Sequence, residues 1–470
     1  MRQNLLYIFA DQWRYQALGA HGEDQVRTPN MDRFAAESVD FGHAYSTFPL
    51  CSPHRASLMT GKYPFSVGMW TNCKTGLEEK IMLKPQETCI GNVLKEYGYQ
   101  TGYIGKWHLD ASEQNFDPAP KSGAREWDAY TPPGERRAGF DYWLSYGACD
   151  EHLAPHYWQD DERQIRPGKW SAEFETDKAI EFMEKRKADE APFALFVSYN
   201  PPHLPYELVP EKYDREFRDL EVVWRANVPQ QMRGEPLLSQ TRHYFAAVTG
   251  IDEQFGRILS FLERAGLEEN TLVVLSADHG DMLGSQGLMS KNVWYEESIH
   301  IPLLMRQKGR LEPGEYREIF ASPDHMPTLL GLLGIRPPAV CQGYDHSGMI
   351  LNKEGTNESE SPPQEMFLCS YPGSEALVSC FARAGLTHKA YGWRGIKTRE
   401  YTYVLHNGYR PGEEQREWLY HDEEDKYQLS PRRIDADCQD EEILHFRKKL
   451  WEYLALTQDP FLWQERNPQK

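Results

Sequence analysis

Asn4-Leu5-Leu6-Tyr7-Ile8-Phe9-Ala10-Asp11-Gln12 is a near-continuous apolar run that stops abruptly at an acid and an amide. A run of this length with no apolar–polar alternation is what a strand covered on both faces presents, as in the parallel sheets of α/β proteins. Three later runs repeat the pattern. Thr101-Gly102-Tyr103-Ile104 leads into Lys106 and His108, Phe193-Ala194-Leu195-Phe196-Val197-Ser198-Tyr199 into His203, and Thr271-Leu272-Val273-Val274-Leu275-Ser276 into Asp278 and His279. In an open, mostly parallel sheet the carboxyl ends of such strands share one edge, and ligands bind there. The expected fold is therefore α/β: a large mixed, mostly parallel sheet flanked by helices. Asp11, Gln12, Lys106, His108, His203, Asp278 and His279 should converge on one site.

Between these runs the spacing predicts helices from Pro29 through Met31, Phe34 and Ala35, over 90–98 with a closing glycine, and over 172–188. The most regular helix spans 241–265, where Tyr244, Phe245, Val248, Ile251, Phe255, Ile258, Leu259 and Leu262 form one face that reads as core. Residues 110–168 lose this regularity and carry many prolines, glycines and aromatics. They read as a functional rim, with Arg136, Arg137, His152, His156 and Trp158 as substrate-facing candidates. A solvated loop with aromatics tucked onto the core is an equal reading for any one of them. A polar, proline-containing link at 354–364 separates an N-terminal catalytic domain, 1–353, from a smaller C-terminal α+β subdomain, 365–470. Short strands are expected in that subdomain at Met366–Ser370, Trp393–Lys397, 401–405 and 417–421, with a helix over 440–454. Asn357-Glu358-Ser359 fits a glycosylation sequon and is read as chance.

Composition narrows the function. The 470 residues carry 52 lysines and arginines against 71 acids, a net charge of −19. That is the wrong sign for a non-specific nucleic-acid or anionic-membrane binder, so an anionic substrate needs positive charge gathered locally. The 13 tryptophans and 26 tyrosines serve cores and also stack on sugar faces. No apolar run approaches the ~20 residues of a membrane span, and Met1 leads almost directly into a strand-like run. The expectation is a soluble, cytoplasmic protein, or a periplasmic or secreted one if a leader has been removed. The eight cysteines form no CxxC pair, which argues against a zinc ribbon and requires no disulfide.

The densest chemical signal is Cys51-Ser52-Pro53-His54-Arg55-Ala56-Ser57-Leu58-Met59-Thr60-Gly61-Lys62. It reads Cys-x-Pro-x-Arg and runs into a helix-like segment that stops at a glycine. A cysteine at the positive end of a helix, with an arginine close by, suits a developing anion; taken alone, the motif equally fits a half-buried turn cysteine. Oxygen donors from Asp11, Gln12 and Asp278, with His279, suit a divalent cation, and their oxygen-rich share points to calcium or magnesium over zinc. Lys106, Lys291 and Arg55 supply fixed positive charge for a tetrahedral oxyanion. His108 and His203 titrate near neutrality and can act as base and acid, although His108 alone could equally be a satisfied structural histidine.

The dodecamer resembles the sulfatase signature. Asp11-Gln12, Gly105-Lys106-Trp107-His108-Leu109, Pro202-His203-Leu204-Pro205-Tyr206, Asp278-His279-Gly280, and Lys291 with Tyr295-Glu296-Glu297-Ser298 resemble that family's successive blocks, in its order. The resemblance places the chain in the sulfatase branch of the alkaline-phosphatase-like superfamily. It implies that Cys51 is oxidised to a formylglycine nucleophile by a formylglycine-generating or an anaerobic sulfatase-maturing enzyme. Asp11, Gln12, Asp278 and His279, with the residue-51 oxygen, would hold a metal, normally calcium, with magnesium or manganese as alternatives. Arg55 and Lys106 would stabilise the nucleophile, His108 would take a proton, and His203 and Lys291 would grip the sulfate, one of them protonating the departing alcohol.

Three positions depart from the commonest pattern. His54 replaces a serine of the signature, Gln12 a second aspartate, and His279 an asparagine. The Gln/His pair also resembles phosphonate monoester hydrolases and related phosphodiesterases, whereas Lys106-x-His108 favours sulfate. The expected activity is hydrolysis of a sulfate ester on a sulfated small molecule or glycan, with a carbohydrate as the expected class. Phosphonate monoester or phosphodiester hydrolysis, and an inactive sulfate-binding homologue, stand as alternatives.

Overall fold

In the computed structural model, which describes residues 3–351 and 361–461, the opening run is strand β1 (Asn4–Asp11), buried along its whole length. β1 lies between β6 (Phe193–Pro202) and β7 (Thr271–Ala277) and is parallel to both, with Tyr7 opposite Phe196 on one side and Val274 on the other. Beyond β6 come β4 (Gln100–Lys106) and β5 (Tyr142–Tyr146), also parallel. Beyond β7 come β8 (Leu303–Arg306), antiparallel to both its neighbours, then β2 (Val39–Phe41) and β9 (Gly314–Tyr316). A short parallel pair, β3 (Ala44–Tyr45) and β10 (Phe320–Ala321), lies outside this sheet.

Helices cover the sheet because its central strands carry no polar face. They are α1 (Pro29–Ala36), α2 (Cys51–Thr60), α3 (Ile90–Glu96), α4 (Ser171–Arg186), α5 (Glu211–Phe217) and α6 (Glu235–Arg264), with shorter ones later in the chain. α4 and α6 pack on β6 and on each other, and α1 and α5 pack on α6. The apolar stripe expected on α6 is buried throughout. α6 begins earlier than 241 because Leu237 and Thr241 continue the buried i, i+4 row, and Pro236 sits in the first turn, where its missing N–H costs nothing. Among the described residues no helix is long and apolar enough to cross a membrane.

The segment 110–168 is more than a rim. It contains β5, an edge strand of the main sheet, in which Trp143 is buried. Proline and glycine on both sides hid a strand of five residues. β6 in turn runs past Tyr199 to Pro202, with a register shift against β1 between Ala10 and Asp11.

The C-terminal strands form a separate antiparallel sheet, β11 (Met366–Ser370), β12 (Trp393–Lys397), β13 (Tyr401–His406), β14 (Arg416–His421) and β15 (Arg432–Arg433), in that order. The helix Glu441–Thr457 closes it, burying Ile443, Phe446 and Leu450, with Phe446 stacked on Tyr403 at 5.5 Å. A short helix, Glu375–Arg383, had not been expected. Residues 354–360 of the expected link, including the sequon, lie outside the described residues.

One glycine has a geometric reason. Gly105 (φ +97°) precedes Lys106, and a Cβ there would lie 2.1 Å from the Ser198 carbonyl oxygen, so β4 and β6 approach closely only because residue 105 has none. Glu175 on α4 is wholly buried beneath it and accepts the Tyr157 hydroxyl at 2.9 Å. Burial pushes its pKa from 4.5 up to about 8. The folded protein thus binds a proton that the unfolded chain releases. The associated stability is full below pH 4.5 and is lost as pH rises through about 8. Glu175→Gln is expected to raise the melting temperature relative to wild type above pH 8, with the difference vanishing near pH 5; melts across this range check it.

Candidate active site

The strand ends bring their polar residues to one place, and α2 meets them there. Cys51 is the first residue of α2, and all ten of the helix's side chains are buried. Leu50, in extended conformation, precedes it, and Gly61 (φ 65°) ends it in the left-handed conformation. Cys51 Sγ lies 3.6 Å from Asp11 Oδ1 and 3.4 Å from His279 Nε2. One turn on, Arg55 spreads its fork behind the site. Nε donates to Asp278 Oδ2 at 3.1 Å, and one terminal nitrogen donates to Asp11 Oδ2 at 3.0 Å. The other donates to the Lys106 carbonyl at 2.6 Å and to Ser198 Oγ at 2.7 Å. The guanidinium is fully buried, so Arg55 holds the carboxylates in place from inside the protein.

Three more cations face Asp11. Lys106 Nζ is 2.8 Å from its Oδ2, and Lys291 Nζ and His203 Nε2 are 3.9 and 4.0 Å from its Oδ1. Burial alone would raise the pKa of Asp11, but Lys106, His203, Lys291 and Arg55 hold it well below the usual carboxylate range. Asp278 is raised by burial and by Asp11. Burial and Asp11 oppose a thiolate at Cys51, yet Lys291, Lys106 and His279 outweigh them and depress its pKa. The field of this site favours an anion at position 51.

The two catalytic candidates among the histidines are tuned apart. His108 leaves β4 through a left-handed turn (φ 50°) and not by strand alternation. Its Nε2–H donates to the Cys73 carbonyl at 3.0 Å, which leaves the lone pair on Nδ1. Burial pulls its pKa down, and Cys51 only partly opposes this. His203 Nδ1 lies 3.3 Å from Asp150 Oδ1. Burial, Lys291 and Lys106 oppose its charge, but Asp11 and Asp150 outweigh them and raise its pKa to about 9.

Asp11, Cys51, Asp278 and His279 each offer a ligand atom within 4.8 Å of the other three. His279 Nδ1–H donates to its neighbour's carbonyl, Gly280 O, at 3.0 Å, which directs the Nε2 lone pair at the carboxylates. Two buried carboxylates with an aimed imidazole fit a divalent cation. Gln12, also in left-handed conformation (φ 66°), is more occupied than expected. Its Oε1 accepts Lys291 Nζ at 2.6 Å and its Nε2 donates to Asp281 Oδ2 at 2.5 Å. Asp281 also takes the Tyr206 hydroxyl at 2.6 Å. Asp281, Tyr206 and Asn200, whose Oδ1 accepts Lys106 Nζ at 3.0 Å, had not been singled out. Tyr206 stands inside a motif that had been, Asp281 directly follows another, and Asn200 sits at the exit of a buried run.

The rim candidates divide. His152 supports the site from behind, its Nε2 donating to the His203 carbonyl at 2.8 Å, and burial lowers its pKa to about 4. Arg136 pairs with Asp110 at 2.6 Å. Arg137 is buried against Trp143 and donates to the Thr131 and Gln159 carbonyls. Trp158 is wholly buried, its N–H turned to the Ser122 and Glu162 carbonyls, so it offers no face to a ligand. Arg137 and Trp158 are packing residues. His156 is taken up by Asp128 at 2.7 Å. Trp127 does face outward, 41% exposed and near-parallel to His108 with ring centroids 6.4 Å apart.

A family model described as Sulfatase matches residues 3–335. The chain belongs to the sulfatase family. An endo-4-O-sulfatase of Bacteroides thetaiotaomicron is 33% identical over 97% of this chain and 93% of the relative. An ulvan-active sulfatase of Formosa agariphila is 34% identical over 86% of this chain and 73% of the relative. A solved structure concerned with glycosaminoglycan metabolism by Bacteroides thetaiotaomicron shares the fold with a TM-score of 0.86 at 33% identity, covering 98% of this chain and 97% of that one. Relatives at this level are sulfatases, which decides between the hydrolase readings: this sulfatase is an enzyme, a sulfuric ester hydrolase. The family implies a formylglycine and a divalent metal, and the four clustered donors are a candidate metal site. Arg55→Met should leave the carboxylates of Asp11 and Asp278 without their shared cation and cost about 3–5 kcal/mol of unfolding free energy, measured by urea denaturation.

Proposed function

We propose that this sulfatase releases sulfate from a sulfated carbohydrate, with Cys51 matured to formylglycine and calcium as the metal. The observation that carries the reading is the convergence of Lys106, Lys291 and His203 within 4.0 Å of Asp11, beside a residue 51 whose surroundings favour an anion. Such fixed cations match a tetrahedral sulfate and lose little to reorganisation when charge develops. Asp11, Asp278, His279 and the residue-51 oxygen would hold the cation, with the Gln12 amide beside them; oxygen donors predominate, as calcium prefers. Bound there, the cation and the hydrated aldehyde supply a hydroxyl nucleophile at neutral pH.

The remaining steps belong to the chain's own groups. Lys106 and Lys291 hold the sulfate oxygens. His203, protonated at neutral pH, delivers a proton from Nε2 to the departing alcohol, and Asp150 orients its ring. His108, kept neutral by burial, accepts a proton at Nδ1. Two histidines with pKa values pushed in opposite directions are the expected signature of an acid and a base in one site. Trp127 extends from the His108 side into solvent with Lys74 Nζ 5.8 Å from its ring, a platform for a sugar face and a cation for its anionic substituents. The carbohydrate sulfatases among the relatives support the same class of substrate.

The test uses protein co-expressed with a maturing enzyme. Peptide mass spectrometry should show the aldehyde at residue 51, and turnover should favour sulfated oligosaccharides over nitrophenyl phosphate. Trp127→Ala should raise KM for an oligosaccharide about fivefold with kcat for nitrophenyl sulfate unchanged. Unmodified Cys51 with full turnover would refute the reading. Separately, calcium added to chelator-stripped protein should raise its melting temperature, by the equivalent of about 4 kcal/mol at a thousandfold excess over Kd, and Asp278→Asn should abolish the rise.

A further inference from the structure

A second group of side chains has the order of a nucleophile relay and no part in sulfate chemistry. His156 Nε2 lies 2.7 Å from Asp128 Oδ2, and its Nδ1 lies 3.6 Å from Cys149 Sγ. Asp128 is 2% exposed and aimed by backbone, its Oδ1 accepting the N–H groups of Ala129 at 2.9 Å and Gly147 at 2.8 Å. Carboxylate, imidazole and thiol thus stand in a line, each ring nitrogen committed to one neighbour. All three line a cavity of about 660 Å³ that also reaches Trp127, Asp150 and Pro205, so small molecules can reach the sulfur.

Three of the other cysteines differ in burial. Cys73, Cys89 and Cys369 are buried, and burial pushes their thiols up, to about 12 for Cys89. Cys149 is half-buried and has an imidazole partner. Burial opposes charge on His156, but Asp128 and Cys149 outweigh it and raise its pKa to about 9. The ring is therefore an imidazolium at neutral pH, the partner that stabilises a thiolate.

We propose that Cys149, His156 and Asp128 form a covalent modification site that takes up small soft electrophiles entering this cavity. With a low-molecular-weight disulfide, the Cys149 sulfur attacks one sulfur, a new S–S bond forms as the old one breaks, and the departing thiolate takes the His156 proton. The adduct bears on catalysis through the backbone. The Cys149 carbonyl accepts Asn200 Nδ2 at 2.7 Å, and Asn200 in turn holds Lys106. The next residue, Asp150, orients His203. Bulk on Cys149 shifts both supports and shuts the enzyme down, a consequence that rests on the sulfatase reading above.

Matured full-length enzyme is treated with limiting iodoacetamide at neutral pH, and each cysteine is followed by peptide mass spectrometry alongside sulfate release. Cys149 should label about tenfold faster than the likewise half-buried Cys380 and Cys438, with turnover falling in step. His156→Gln should slow that labelling about tenfold, and Cys149→Ser should turn over normally and resist the reagent. Labelling of Cys149 no faster than Cys438, or as fast in His156→Gln as in wild type, overturns the site. Fast labelling with full turnover overturns its control of catalysis. Labelling is read by mass, so an enzyme that released no sulfate would still decide whether the site exists.

Discussion

The buried guanidinium of Arg55 is the constraint on which the rest of the site depends. It touches Asp11 at the end of β1, Asp278 just past β7, the carbonyl of Lys106 at the end of β4, and Ser198 within β6. One planar cation thereby registers four strands against each other and ties them to α2, four residues after Cys51. Two carboxylates placed this close in the interior would repel and protonate without it. Its stacking over Phe9 at 4.8 Å fixes the plane of the fork. The helix that carries Cys51 and the strands that lead to Asp11 and Asp278 are consequently one rigid piece.

The C-terminal sheet extends that rigidity to the loops. The Cys369 N–H donates to the Thr47 carbonyl at 2.9 Å, just ahead of Cys51. Ser370 Oγ donates to Asn292 Oδ1 at 2.8 Å, and the Trp393 N–H to the Asn292 carbonyl at 3.3 Å, next to Lys291. Lys397 on β12, buried, bridges Asp422 and Glu296 at 2.6 and 2.8 Å, tying the sheet to the segment that follows Lys291. A lysine that must meet an anion from a loop needs such a wall, because its own side chain is long and flexible.

The strands that build the site were legible because a fully buried strand leaves an unbroken apolar run, and the residues that end such runs share one sheet edge. Cys51, Arg55, Lys106, His108, His203, Lys291, Asp11, Asp278 and His279 were found this way or through the blocks they stand in, and all of them gather. What could not be read was which partner each polar group chooses. Gln12 and His108 both adopt left-handed backbone, which redirects a side chain independently of strand alternation. Asp281 and Tyr206 matter only because that turn delivers Gln12 to them. On the rim, aromatic and basic residues look alike in sequence whether packed or exposed. Trp158 is sealed in and Trp127 is open because of where β5 runs, and a strand so short between prolines leaves little periodic trace.

Complete burial of α2 has a consequence for chronology. If Cys51 is matured as proposed above, the oxidising enzyme has to reach its sulfur, yet in the folded chain that sulfur lies against Asp11 and His279 on a helix with no exposed residue. Opening it would mean separating the Arg55 fork from all four strands. On that proposal oxidation belongs to a time before the sheet closes, while residues 51–62 are still an extended peptide. A molecule that folded first would remain a thiol, so the active fraction of a preparation would record a race between folding and oxidation.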